Sequence, residues 1–260
     1  MADTLEGALL WEPDEATRST SRIHHYMQWL RGEYGLSFAR YDELWQWSVR
    51  ELELFWESIW KYFDVQASAP YRRVLSSRAM PGARFFEGAE LNYAQHALRR
   101  SGDAIAIVFV REDGTRGELS WDALRDRVAR ARDGFRKLGV ERGDCVAAFL
   151  PNSIEAVIGL LASASLGATW SSCSPEFGAA SVLDRFSQIA PKLLLAVDGY
   201  RYGGKSFDCV VTVEQIVRAL PTLVATVHVA RSTSAAPSGW LPFDDLLAEP
   251  AALEFEPLPF

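Results

Sequence analysis

Cys145-Val146-Ala147-Ala148-Phe149-Leu150, followed by Pro151-Asn152-Ser153-Ile154-Glu155, is the stretch on which the reading of this chain turns. The first run is short and nearly all apolar, the texture of a strand buried on both faces of a parallel sheet. Asn152 to Glu155 resembles a capping box, in which a polar side chain and a nearby carboxylate satisfy the free N–H groups at a helix start. The helix it opens is predicted to run to Leu166 and stop at Gly167, and Ala168-Thr169-Trp170 begins a further strand. Strand, helix and strand in that order form a crossover unit, because parallel neighbours can be joined only across the face of their sheet.

The same alternation continues outward in both directions. Downstream, the pattern predicts a helix near residues 178–189, a strand at 192–197, a helix around 214–220 and a strand at 223–229. The segment 231–239, rich in Ser, Thr, Ala and Pro, is expected as a loop. Upstream, the β-branched run Ala104 to Val110 reads as a strand, with Asp113-Gly114 as a turn into a second short strand ending near Leu119. Ser120 can then cap a helix whose apolar positions are Trp121, Leu124, Val128, Ala131, Phe135 and Leu138, with Gly139 as its stop. The beginning of the chain differs in texture. Residues 21–34 form one candidate helix ended by Gly35, and from Tyr41 an apolar stripe through Leu44, Trp45, Val49, Leu52, Phe55, Trp56, Ile59, Trp60 and Phe63 predicts one long amphipathic helix. Pro70 and the stretch 76–82 break this pattern. The expected class is α/β: an N-terminal helical cap over residues 1–98, then part of a doubly wound, mainly parallel sheet over 99–260.

Composition narrows the function classes. Of the 260 residues, 48% are hydrophobic and 23% charged, so a sizeable core can be buried. The net charge of -7 argues against a nucleic-acid-binding surface, so any anionic ligand needs a local group of cations. Three cysteines, Cys145, Cys173 and Cys209, lie far apart and suggest reduced thiols in the cytoplasm. The acidic start is unlike a signal peptide, and the most apolar window, 156–170, is shorter than a membrane span. Nine tryptophans are present, and Trp11, Trp29, Trp45, Trp47, Trp56 and Trp60 are all in the first part, where packing of the cap is the expected role. The final residues, Glu254 to Phe260, read as a chain that is cut and not finished.

Gly199-Tyr200-Arg201-Tyr202-Gly203-Gly204-Lys205-Ser206 matches, letter for letter, the phosphate-cradling pattern G-x-x-x-x-G-K followed by Ser or Thr, and it comes after a predicted strand. Such a loop would make the protein a P-loop NTPase or kinase. It requires the Lys and Ser to sit in the first turn of a helix, so that backbone N–H groups and the helix dipole converge on phosphate. Phe207-Asp208-Cys209-Val210-Val211-Thr212-Val213 is instead a poor helix start, and a helix is expected only from Val213 or Glu214. The motif also lies late in the chain, with no later strand ending in Asp to hold magnesium. Arg201 and Lys205 remain as cations in a Gly-rich loop at the C-terminal end of a strand, where open α/β sheets place their ligands. They read either as a phosphate grip or as solvated charges.

Several motifs together carry a family resemblance. Glu118-Leu119-Ser120-Trp121-Asp122-Ala123-Leu124 resembles a core motif of adenylate-forming acyl-CoA synthetases. Gly139-Val140-Glu141-Arg142-Gly143-Asp144-Cys145-Val146-Ala147, continuing through Leu150-Pro151-Asn152-Ser153-Ile154-Glu155-Ala156, is strongly similar to another of their stretches, and Leu166-Gly167-Ala168 follows in place. Phe85 to Tyr93 resembles the N-terminal cap of the acetyl- and acetoacetyl-CoA synthetase branch, and Trp170 to Gly178 looks most like the acetoacetate-using group. The resemblance implies a ligase that uses ATP, magnesium, coenzyme A and acetoacetate or a similar short carboxylate. It implies too that the ATP loop and the catalytic lysine lie in a missing C-terminal part, so that no catalytic residue falls within this chain and the chain alone is inactive. By the same resemblance Arg201 and Lys205 are candidate ligands for the phosphates of coenzyme A, and Trp170, Ser171 and Ser172 match a segment that lines the pantetheine tunnel. An acetyl- or propionyl-type ligase, the P-loop enzyme and a non-catalytic interaction module stay open as alternatives, as does simple packing for Trp170, Ser171 and Ser172.

Overall fold

Two compact units, Met1–Val65 with Tyr71–Gly88 and Gln66–Pro70 with Ala89–Phe260, make up the computed structural model of the chain, which describes residues 6–231 and 237–260. The first contains helices α1 (Glu15–Thr20), α2 (Arg22–Tyr34), α3 (Tyr41–Arg50) and α4 (Leu52–Tyr62), then a hairpin of strands β1 (Arg73–Leu75) and β2 (Phe85–Glu87). Ser21 caps α2, its hydroxyl accepting from the His24 N–H, and Gly35 ends the helix at φ 67°. The single helix expected from Tyr41 is two. Glu51 leaves helical geometry at φ -104°, ψ 55° and starts a new helix axis. An apolar stripe passes through such a break unseen, since one residue out of register barely disturbs the spacing. Tyr26, Leu30, Leu44 and Trp47 form the buried centre of this unit. Trp29, Trp47, Trp56 and Trp60 pack against other rings, mostly edge to face, as expected of the cap. Trp11 and Trp45 do not: they are 73% and 54% exposed.

The second unit runs β3 (Glu90–Leu91), α5 (Tyr93–Ala97), β4 (Ile105–Val110), β5 (Arg116–Ser120), α6 (Trp121–Lys137), β6 (Cys145–Phe149), α7 (Ile154–Ser165), β7 (Thr169–Cys173), α8 (Ala179–Phe186) and β8 (Leu193–Val197). It continues with β9 (Gly199–Tyr202), β10 (Lys205–Asp208), α9 (Val210–Ala219), β11 (Ala225–Val229), β12 (Leu241–Pro242), α10 (Phe243–Leu246) and β13 (Leu258–Pro259). Five strands form one sheet in the order β12-β11-β8-β6-β7, with every ladder parallel. Strand β8 is fully buried along its whole length, which is why it reads as an unbroken apolar run. Ser120 caps α6 as its sequence suggested, accepting from the Ala123 N–H. Part of the loop expected at 231–239 lies outside the described residues.

The order of the strands matters for the site. From β6 the chain steps outward to the edge strand β7, then returns past β6 to β8 and moves on to β11. Right-handed crossovers put the helices of opposite steps on opposite faces. Accordingly α7 packs with α5 and α6, while α8 packs with α9. Asn92 ties this unit together: its amide donates to the carbonyls of Ala164 and Glu256, at 2.8 Å each, and its side-chain oxygen caps α5. Among the described residues no helix is long and apolar enough to cross a membrane.

Leu195 sits at the centre of β8 with no exposure, so Leu195→Ala is expected to destabilise the chain by about 2–5 kcal/mol through lost burial and the cavity left behind. Ser120→Ala should cost only about 1 kcal/mol, the loss of one helix cap. Urea unfolding followed by circular dichroism checks both. Equal losses for the two variants would contradict the burial argument.

Candidate functional site

Strands β6 and β8 are neighbours whose following segments leave on opposite faces, which opens a crevice at their C-terminal ends. A cavity of about 830 Å³ lies there. Its walls are the β4–β5 hairpin, the turn Pro151 to Glu155 after β6, the β9–β10 hairpin after β8, Arg127 of α6 and Arg231 just past β11. All of these belong to the second unit.

The segment read as a Gly-rich loop is the β9–β10 hairpin. Gly203 and Gly204, at φ 58° and 74°, form its two-residue turn, a backbone shape that favours glycine at both positions. Gly199 is required for another reason: a Cβ there would lie 2.6 Å from the Phe207 carbonyl oxygen on the facing strand. Lys205 and Ser206 stand in a strand, and helix α9 begins only at Val210, so no helix N-terminus addresses the turn. That helix nonetheless starts three residues before the expected Val213. The Asp208 carboxylate accepts from the Val210 N–H, and burial of Val213 and Ile216 outweighs the weak helix preference of β-branched residues. A signal for the hairpin was available in the Gly-Gly pair flanked by alternating aromatic and polar residues.

Register sorts the candidate ligands. Arg201 pairs with Ser206 and Lys205 with Tyr202, and side chains alternate across a strand, so Arg201 and Lys205 project from opposite faces of the hairpin. Arg201 and Ser206 line the cavity; Lys205 does not. Both cations are exposed. Trp170, Ser171 and Ser172 lie on the edge strand β7, outside the cavity wall. The Trp170 ring rests on Gly159 of α7, where an added Cβ would come within 2.7 Å of it. The structure therefore brings one of the five, Arg201, into the cavity.

Four cations (Arg111, Arg127, Arg201, Arg231) and four carboxylates (Glu112, Asp113, Glu118, Glu155) line the cavity, so it is charged but balanced. Glu112 accepts from the Gly203 N–H at 2.6 Å, joining the tip of the β9–β10 hairpin to the β4–β5 wall. Hydrogen bonds from Thr115, and then the nearby Arg111 and Arg201, hold the Asp113 carboxyl below its usual range. The most enclosed pair is Glu155 with Arg231. The guanidinium grips both carboxylate oxygens, at 2.5 and 3.4 Å, and the two side chains are only 22% and 12% exposed. Burial pushes the Glu155 carboxyl upward, but Arg231 outweighs it and the net shift is downward. Sequence spacing assigned Glu155 to a capping box; Ser153 instead occupies the cap position without a side-chain cap bond. Neither partner can be found from spacing alone, since they are far apart in the chain.

Beside this pair, buried Asp198 accepts from the Arg231 backbone N–H at 2.7 Å, and His228 Nε2 lies 3.4 Å from its other carboxylate oxygen. The cysteines are all free thiols. Burial pushes Cys173 up and raises Cys209 to about 11, so neither is an activated nucleophile. Among the described residues no group of three or more His, Cys, Asp or Glu side chains could hold a metal ion.

A doubly wound parallel sheet with a charged crevice at its switch point defines an open α/β ligand-binding domain. Residues 94–255 match the AMP-binding enzyme family and residues 41–97 match the acetyl-coenzyme A synthetase N-terminus, and the chain belongs to the AMP-binding enzyme family. It is 39% identical to an acetoacetyl-coenzyme A synthetase of Rhizobium meliloti (strain 1021), covering 96% of this chain and 39% of that protein. It is 36% identical to the acetoacetyl-CoA synthetase of Macaca fascicularis, over 99% of this chain and 40% of the relative. The solved acetoacetyl-CoA synthetase from Streptomyces lividans superposes with a TM-score of 0.91 at 44% identity, over 96% of this chain and 39% of that one. The chain thus spans about two fifths of the relatives it matches.

Arg231→Ala would strand a half-buried carboxylate and is expected to cost about 2–3 kcal/mol at neutral pH. The folded pKa of Glu155 lies below its unfolded value of about 4.3, so the pair's stabilisation is complete above that value and is lost as pH falls through the folded pKa. The difference in urea midpoint between wild type and Arg231→Ala should therefore shrink from pH 7 to pH 3.5. A difference independent of pH would show that the lost stability does not come from this ion pair.

Proposed function

We propose that the chain forms the N-terminal portion of an acetoacetate–CoA ligase. What carries the reading is that nearly the whole chain, helical unit and sheet alike, aligns with acetoacetyl-CoA synthetases in sequence and in backbone. In the reaction the carboxylate of acetoacetate attacks the α-phosphorus of ATP, giving acetoacetyl-adenylate and releasing pyrophosphate. The thiol of coenzyme A then attacks the acyl carbon and AMP leaves, the thiol proton passing to solvent or a base. Magnesium would neutralise phosphate charge in the first step.

This chain's own contribution is to binding. Arg201 supplies a planar fork of donors suited to a phosphate oxygen pair, and its place on the cavity wall supports a role toward the phosphates of coenzyme A. Lys205, on the other face of the hairpin, would act on a separate phosphate or only through long-range attraction, since the two cannot close on one group from opposite sides. Trp170, Ser171 and Ser172 are assigned to the pantetheine path by resemblance, with Trp170 also serving as the packing partner of Gly159. A P-loop reading is disfavoured because Lys205 and Ser206 stand in strand β10, not in the first turn of a helix.

The full-length protein, supplied with acetoacetate, ATP and coenzyme A, should release AMP and form acetoacetyl-CoA, whereas the 260-residue chain alone should do neither. Higher kcat/KM with acetate or propionate would move the assignment to another short-chain ligase, and ATP hydrolysis to ADP would remove it from this class. In the full-length protein Arg201→Ala should raise the KM for coenzyme A about tenfold, the loss of one charged hydrogen bond. Lys205→Ala should raise it less. An unchanged KM in Arg201→Ala would exclude that residue.

A further inference from the structure

Arg231 and Glu155 are bound to one another across the end of a strand that belongs to neither. Glu155 opens α7, which follows β6; Arg231 follows β11; and β8 lies between β6 and β11 in the sheet. Their ion pair therefore bridges the C-terminal end of β8, where the chain turns through Asp198 into the β9–β10 hairpin. Asp198 takes the connection further. Its carboxylate accepts from the Arg231 N–H at 2.7 Å, and its backbone carbonyl accepts from the Cys209 N–H at 2.9 Å, at the far foot of the same hairpin. The first foot, Gly199, admits no side chain. Both feet of the hairpin are thus tied to one buried residue, and that residue is tied to Arg231.

Among the described residues, the hydrogen bond that holds the hairpin's tip to the rest of the unit is the exposed contact of the Gly203 N–H with Glu112. The direction of Arg201, one of the hairpin residues on the cavity wall, then depends on the base. A guanidinium that grips two oxygens has one geometry, so it transmits position better than a flexible ammonium.

We propose that Glu155 and Arg231 are positioning residues: through Asp198 they fix the base of the β9–β10 hairpin and so aim Arg201 into the cavity. Neither needs to touch a ligand. The role toward coenzyme A rests on the ligase reading above, whereas the effect on the hairpin does not.

Amide hydrogen exchange of the full-length protein separates the two. In Glu155→Gln the amides of Gly199 to Cys209 should accelerate about tenfold more than those of β8, which report only the loss of global stability, because opening is local when a single tie is cut. Unchanged exchange in the hairpin, or equal acceleration throughout the sheet, would overturn the proposal. Arg231→Lys, which keeps the charge and loses the two-oxygen grip, should accelerate the same amides to a smaller degree. In the ligase assay Glu155→Gln should raise the KM for coenzyme A several-fold, with kcat moved less than KM. A wild-type protein without ligase activity, combined with local loosening in the variant, would refute the ligase reading and leave the positioning role standing. Local loosening with an unchanged KM for coenzyme A would refute the link from hairpin to ligand.

Discussion

Right-handedness of the crossover is the constraint on which the second unit depends. A chain that leaves β6 in one direction and later continues from β8 in the other must send its helices to opposite faces. No segment then covers the gap between the two strand ends, and a crevice remains whatever the side chains are. Everything that lines the cavity from the sheet side, the Pro151 to Glu155 turn and the β9–β10 hairpin, stands at that gap as a consequence. The sheet can be driven together by burial because β8 and the middle of β6 are wholly apolar. Its ends must meet water and ligand, and there the polar residues Asp198, Arg231 and Glu155 replace hydrophobic packing with directed contacts.

The β9–β10 segment shows how the same letters can serve different physics. A phosphate cradle works because consecutive N–H groups are left unpaired at a helix start and point inward together. In this chain Lys205 and Ser206 stand in a strand, where successive N–H groups point to opposite sides and do not converge, and the glycines serve a tight turn and a close strand approach. The pleat splits the two cationic side chains to opposite faces of the hairpin, and of the two only Arg201 lines the cavity. Two cations four apart would stand together on a helix; across a two-residue hairpin turn they stand apart.

Sequence reading worked best where one local pattern has one structural outcome. The β6–α7–β7 unit, the Ser120 cap with the α6 stripe, and Gly35 as the end of α2 are set by burial periodicity and capping, which act within a few residues. It worked less well where the deciding contact is remote. The break at Glu51 leaves the apolar spacing of the cap intact, so one helix was expected where two form. Trp45 shares its spacing with buried neighbours yet is exposed, because burial depends on what lies opposite a helix face. Glu155 carries a capping-box spacing from Asn152, but the helix is capped at Ser153, and a guanidinium 76 residues away in the chain holds the carboxylate by both oxygens.

The amino-acid sequence by itself determined the α/β class, the alternation of buried strands and amphipathic helices, and, through its ordered motifs, the family to which the chain belongs. These follow from short-range periodicity and residue type, which are written along the chain. Tertiary structure alone decided which charges meet: that Arg201 faces the cavity and Lys205 does not, that Trp170 lies on Gly159, and that Glu155, Arg231 and Asp198 converge at the end of β8. Strand order and register govern those outcomes. Both are set by the packing of the whole sheet, and no local spacing encodes them.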